Sequence, residues 1–149
     1  MRVPFLTAAV LLTAAVASAQ SGIVSLRRLR STSRPLLIFA PSPADPQLEI
    51  QLRALGSNPG DVAERDVVVI AVPYQSPAPT QATLTDAGAT AARRRFHVAP
   101  GDFTVILLGK DGGEKLRSHQ PVPLDTLRST IDAMPMRQEE MRQQRSRPQ

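Results

Sequence analysis

The chain has 149 residues, 42% of them hydrophobic and 3% aromatic, with 18 basic against 13 acidic residues, a formal net charge of +5, and no cysteine. That length fits one domain with a modest core. The missing cysteine excludes thiol chemistry, thiolate metal sites and disulfide support, and so few aromatic rings leave little for stacking on nucleic-acid bases.

Residues 1–19, MRVPFLTAAVLLTAAVASA, combine one basic residue, Arg2, an uncharged apolar run, and small residues at Ala17 and Ala19. This is the pattern of a Sec-type signal peptide with cleavage expected after Ala19, and it predicts a periplasmic or secreted protein. The run from Leu6 to Ala17 is too short to cross about 30 Å of hydrocarbon as a helix, so no transmembrane anchor is expected after cleavage. Residues 20–34 form a lead-in, with Leu26 and Leu29 spaced for one helical turn.

Residues 35–40, PLLIFA, are a continuous apolar run between prolines and read as a buried strand. Asp45 then stands where an N-cap carboxylate accepts bonds from the first backbone N–H groups. Pro46 follows at the first helical position, and Leu48, Leu52 and Leu55 share a face up to Gly56. SNPGD, residues 57–61, reads as a turn. DVVVIAV, 66–72, reads as a second buried strand, and the proline-rich 73–81 as a surface loop. Residues 85–98 read as a helix ending near Phe96, with an extended loop as the alternative.

FTVILLGKDGGEKLRSH, 103–119, is read as a hairpin, because Asp111-Gly112 between two strand-like runs supplies the turn. Its GKDGG is no phosphate loop: the glycines follow the lysine and no helix comes next. Leu124, Leu127, Ile131 and Met134 repeat at helical spacing and predict an amphipathic helix over 123–134, stopped by Pro135. Residues 136–149 are a polar tail able to form a helix that frays toward Gln149. The order of elements predicts an α/β domain with a mixed central sheet of about four strands and helices on both faces.

Four stretches, RPLLIFAPS (34–42), ERDVVVI (64–70), GDFTVILLGKDGGEKLR (101–117) and IDAMPMRQEEMR (131–142), resemble a family of unknown function found in bacterial exported proteins. Related domains occur in vertebrate extracellular sushi-repeat proteins and coiled-coil-domain matrix proteins. The group is thioredoxin-like, and the resemblance implies a thioredoxin-like domain over 35–135. In redox thioredoxins the turn after the first central strand carries Cys-x-x-Cys at a helix N-terminus, where the helix dipole lowers the thiol pKa. Ser42-Pro43-Ala44-Asp45 fills that frame here. The cis-proline that would face it corresponds to Phe103, before Thr104, with Pro100 three residues earlier. Both halves of the redox site are altered, so disulfide exchange and thiol peroxidase activity are not expected.

Ser42 as a nucleophile would need a base and an orienting group, and neither His97 nor His119 is tied to it by spacing. The plainer reading is that Ser42 and Asp45 satisfy backbone donors at the helix start. Two isolated histidines make no metal site, and no cofactor is expected. Sixteen of the 18 basic residues are arginines, clustered at Arg27, Arg28, Arg30, Arg34 and at Arg93, Arg94, Arg95; they read first as a solvated basic face. The candidate ligand or partner surface is Ser42, Asp45, Arg34, Arg93, Arg94, Arg95 and Phe103. Two functions follow: a non-catalytic binding module for a protein or an anionic polymer, with nucleic acid not expected, or an enzyme of unspecified reaction using the Ser42/Asp45 turn as an anion site.

Overall fold

Strand β2 (Arg34–Ala40) is the axis of the fold, buried at all seven of its residues. A strand covered on both faces has no polar side to show, which is why its sequence is an unbroken apolar run. The computed structural model describes residues 22–74, 80 and 82–147; the leader expected at 1–19 and most of the loop expected at 73–81 lie outside the described residues. Strand β3 (Val67–Pro73) pairs with β2 in parallel, and β5 (Thr104–Leu108) pairs with its other side antiparallel, setting Leu37 between Ile70 and Ile106. Strand β6 (Glu114–Ser118) returns antiparallel along β5. Beyond β3 lie two parallel two-residue strands, β4 (Ala82–Thr83) and β1 (Gly22–Ile23), giving the order β1-β4-β3-β2-β5-β6.

Alternate residues of β2 feed two cores. Leu36, Ile38 and Ala40 face helices α2 (Pro46–Gly56), α3 (Pro59–Glu64) and α5 (Leu124–Asp132), meeting Leu48, Leu55, Val62, Leu127 and Ile131. Leu37 and Phe39 face α1 (Leu26–Leu29) and α4 (Asp86–Phe96), meeting Leu26, Leu29, Ala92 and Phe96. The sheet is therefore mixed, with helices on both faces.

Several elements differ from the sequence reading. The 57–61 turn is shorter than expected, because Pro59 opens α3, taking the first helical position where its missing N–H costs nothing. Pro135 works the same way: α5 ends at Asp132, and the proline opens α6 (Pro135–Arg145) in what reads as a polar tail. Pro73, expected in the loop, is instead the last residue of β3, opposite Ala40. Strands β1 and β4 were not expected at all; two residues are too few to show a period. None of the described helices is long and apolar enough to cross a membrane.

Leu127 is 3% exposed while Ile50, on the outer face of α2, is 53% exposed. In urea denaturation Leu127→Ala is expected to cost about 2–5 kcal/mol and Ile50→Ala well under about 1 kcal/mol; equal costs would contradict the packing of α5.

Candidate functional site

Ligands of open α/β sheets collect beyond the carboxyl ends of the parallel strands, and β2 delivers the chain there into the Pro41–Asp45 turn. Asp45 caps α2: its Oδ1 accepts from Gln47 N at 2.9 Å and Leu48 N at 3.1 Å. Ser42 takes no part in that cap. Its carbonyl accepts the Asp45 N–H at 3.3 Å, and among the described residues its half-buried hydroxyl has no hydrogen-bond partner. The reading that both residues satisfy helix donors thus holds for Asp45 alone.

Arg93 fills much of the remaining space. From the last turns of α4 its Nη2 donates to the carbonyls of Ala40 at 2.9 Å and Val72 at 2.7 Å, the ends of β2 and β3, while Nη1 donates to Ala99 at 3.1 Å. Its guanidinium lies 5.4 Å from the centre of the Phe39 ring and 5.6 Å from that of Tyr74. Burial pushes its pKa below the ordinary arginine value, with Tyr74 and Asp102 pulling weakly the other way. Arg93 is therefore a structural clamp rather than an exposed member of a basic face. Phe103 sits at the same end but belongs to the core with Ala40 and Val105, so it offers no partner surface. His97 caps α4 in a left-handed conformation, φ 54°, and His119 is exposed with Nδ1 3.3 Å from the Thr104 hydroxyl. Among the described residues no three of His, Asp and Glu converge on a common point that could hold a metal ion.

Arg34 and Arg95 stand at the opposite end of the sheet. Arg34, at the start of β2, is fully buried and lies about 20 Å along the strand from Ala40. Arg94 and Arg95 are exposed; Arg95 donates to the Gly112 carbonyl at 3.0 Å and stacks 4.8 Å from the centre of the Phe96 ring. Arg95 there joins Arg27, Arg28 and Arg30 around a groove of about 750 Å³ between α1 and α4, floored by Pro35 and Leu108. The sequence reading noticed both arginine clusters but had no means of seeing that Arg27, Arg28 and Arg30 share a groove with Arg95 alone of the second cluster, since about 65 residues separate them along the chain.

Residues 25–140 match the model of the domain of unknown function DUF4174. The chain belongs to this family. No curated protein matches it significantly. Among solved structures, the DUF4174 domain is similar to Plasmodium yoelii thioredoxin peroxidase I (17% identity, TM-score 0.59, covering 78% of this chain and 80% of that one). It is also similar to the peroxidoxin BcpB of Mycobacterium tuberculosis (19%, 0.57, 73% and 84%). A third neighbour is a putative thiol:disulfide interchange protein DsbE from Chlorobium tepidum (20%, 0.54, 72% and 83%). These likenesses show the fold, which is thioredoxin-like; the names of all three neighbours point to redox chemistry, and this DUF4174 chain has no cysteine.

Arg34 anchors a charge network that the sequence reading missed. Its Nη1 donates to the Arg65 carbonyl and its Nη2 to Glu140 Oε1, each at 3.0 Å. Lys110, from the hairpin turn, reaches the same Glu140 oxygen at 2.7 Å and Asp66 at 2.8 Å. Arg65 grips Asp132 with two bonds of 3.0 and 2.8 Å, and Arg137, 1% exposed, bonds Glu64 Oε1 at 2.6 Å. The available signal was the helical spacing of Met134, Arg137 and Glu140 in a segment read as a polar tail.

Arg65's bidentate grip holds the Asp132 carboxyl below its usual range against the opposing effect of burial. For Glu140, burial pushes the pKa up, but the bonds from Arg34 and Lys110 outweigh it and the net shift is down. Both folded pKa values thus lie below their unfolded ones, so the stability they contribute is present above the ordinary carboxylate range, near about pH 4, and is lost as pH falls through the depressed values. The urea midpoint of this DUF4174 domain is expected to fall between pH 6 and pH 3. Asp132→Asn combined with Glu140→Gln is expected to lower the midpoint at pH 6 and flatten that fall; an unchanged slope would contradict the network.

Proposed function

We propose that the protein is exported and acts as a non-redox thioredoxin-like binding module whose partner is a protein or an anionic polymer. The observation that carries this reading is the gathering of Arg27, Arg28, Arg30 and Arg95 around one groove. At the opposite end of the sheet, where thioredoxin-like redox chemistry would sit, Arg93 occupies the strand-end carbonyls and the chain has no thiol to offer. Export rests on residues 1–19, whose basic start, apolar run and Ala-Ser-Ala end read as a cleavable leader. Kinship with the vertebrate extracellular sushi-repeat and coiled-coil-domain matrix proteins belongs to the same reading, as a setting in which a binding module would serve.

The enzyme reading draws on the Ser42 hydroxyl, which has no hydrogen-bond partner among the described residues. Against it, Asp45 already takes the Gln47 and Leu48 N–H groups and puts a negative charge where an anion would bind.

The purified protein is expected to retain a fluorescent octa-glutamate peptide in fluorescence anisotropy, with affinity falling steeply between 50 and 200 mM salt, as ionic contacts do. Arg28→Glu with Arg95→Glu should weaken binding at least tenfold. The same preparation should give no turnover in insulin-disulfide reduction. Salt-independent binding that both substitutions leave unchanged, or measurable disulfide turnover, would contradict the reading.

A further inference from the structure

Resting on the binding-module reading, we infer that the groove between α1 and α4 receives an extended segment of a partner protein in which carboxylates alternate with apolar side chains. Charge complementarity comes first: Arg27, Arg28, Arg30 and Arg95 line the groove and, among the described residues, no carboxylate does. Arg27 and Arg28 have no side-chain hydrogen bond among the described residues. Arg30 and Arg95 are each steadied by one bond to a backbone carbonyl of the hairpin turn, at 3.1 Å to Asp111 and 3.0 Å to Gly112. A guanidinium carries five N–H donors, so those two keep most of theirs for a ligand, and the planar fork matches a carboxylate.

The floor decides what kind of anion fits. Val24, Leu26 and Leu84 are partly exposed and give the groove apolar surface above the buried Pro35, Ala92 and Leu108, and the wall of α4 is low because Gly88 and Ala91 have little or no side chain. A polyanion with charge alone would leave that floor wet. A single-headed amphiphile would cover the floor but bring one carboxylate to four guanidiniums. An alternating segment supplies both, since successive side chains of an extended chain point to opposite sides. The length agrees: α4 has 11 residues, about 16 Å at 1.5 Å per residue, which matches about five residues of extended chain. A second copy of this chain, at +5, is the wrong charge to be the occupant.

The probes are a fluorescein-labelled octapeptide of alternating Leu and Glu and its octa-glutamate counterpart, titrated against the mature chain. The Leu/Glu peptide is expected to bind at least tenfold tighter. Ala91→Phe, which fills the groove from an exposed helix position, should remove that advantage, bringing the two peptides to equal affinity; Ser25→Trp on the facing wall blocks the groove independently. Equal affinities insensitive to both blocks would overturn the groove assignment while leaving the anion-binding module intact. Binding of neither peptide would overturn both. A dimer in light scattering that Ala91→Phe dissociates, without Leu/Glu binding, would give the groove to a second copy and overturn the proposal.

Discussion

The guanidinium of Arg93, bonded at once to the carbonyls of Ala40, Val72 and Ala99, ties together the ends of the two central parallel strands and the chain leaving α4. The same device recurs at the other end of the sheet. There Arg34 holds the Arg65 carbonyl, and Arg137 holds the Glu64 carbonyl at 3.1 Å. A small domain with no cysteine has no covalent staple, and with 3% aromatic residues it has few large rings to fill its edges. Long side chains that pack their stems and spread a rigid fork of donors serve both needs. The desolvation cost of these cations is offset only because their donors find partners. Arg34 shows the limit, with its Nε buried and without a partner.

This arrangement occupies both ends of the sheet with the protein's own side chains. The strand-end carbonyls of Ala40 and Val72 are committed to Arg93. The end at Arg34 is committed to the ion network joining β2, the hairpin turn and α6. Among the described residues Arg27 and Arg28 make no side-chain hydrogen bond and line the α1–α4 groove together, whereas Arg94, Arg145 and Arg147 are likewise unbonded but do not line it. The buried arginines Arg34, Arg93 and Arg137 are used on the protein's own carbonyls and carboxylates, whereas Arg27 and Arg28 are exposed.

How much of this the sequence revealed depends on the range of the interaction. The strands β2, β3 and β5, the capped α2, the helix ending at Phe96 and the Asp111-Gly112 turn were legible because each is written in local chemistry: apolar runs, an N-cap carboxylate, a glycine with φ 80° at residue 112. The short pieces were not. Strands β1 and β4 exist because the sheet offers them an edge, and α3 and α6 begin with prolines that also serve as turn and stop signals. The arginines were the hardest to read. Arg93 and Arg95 lie two residues apart, yet one is 9% exposed and clamps the core while the other rims a groove. Nothing in RRR says which is which; helical phase against the sheet does.

The proposal that a partner binds in the α1–α4 groove and not at the Ser42 end is tested most directly by mapping amide chemical shifts while an acidic, leucine-containing peptide is titrated in. The account predicts shifts concentrated at residues 24–30, 84–95 and 109–112, with Ser42, Gln47 and Leu48 unmoved. Shifts centred on the Ser42–Leu48 turn, with the groove silent, would contradict it.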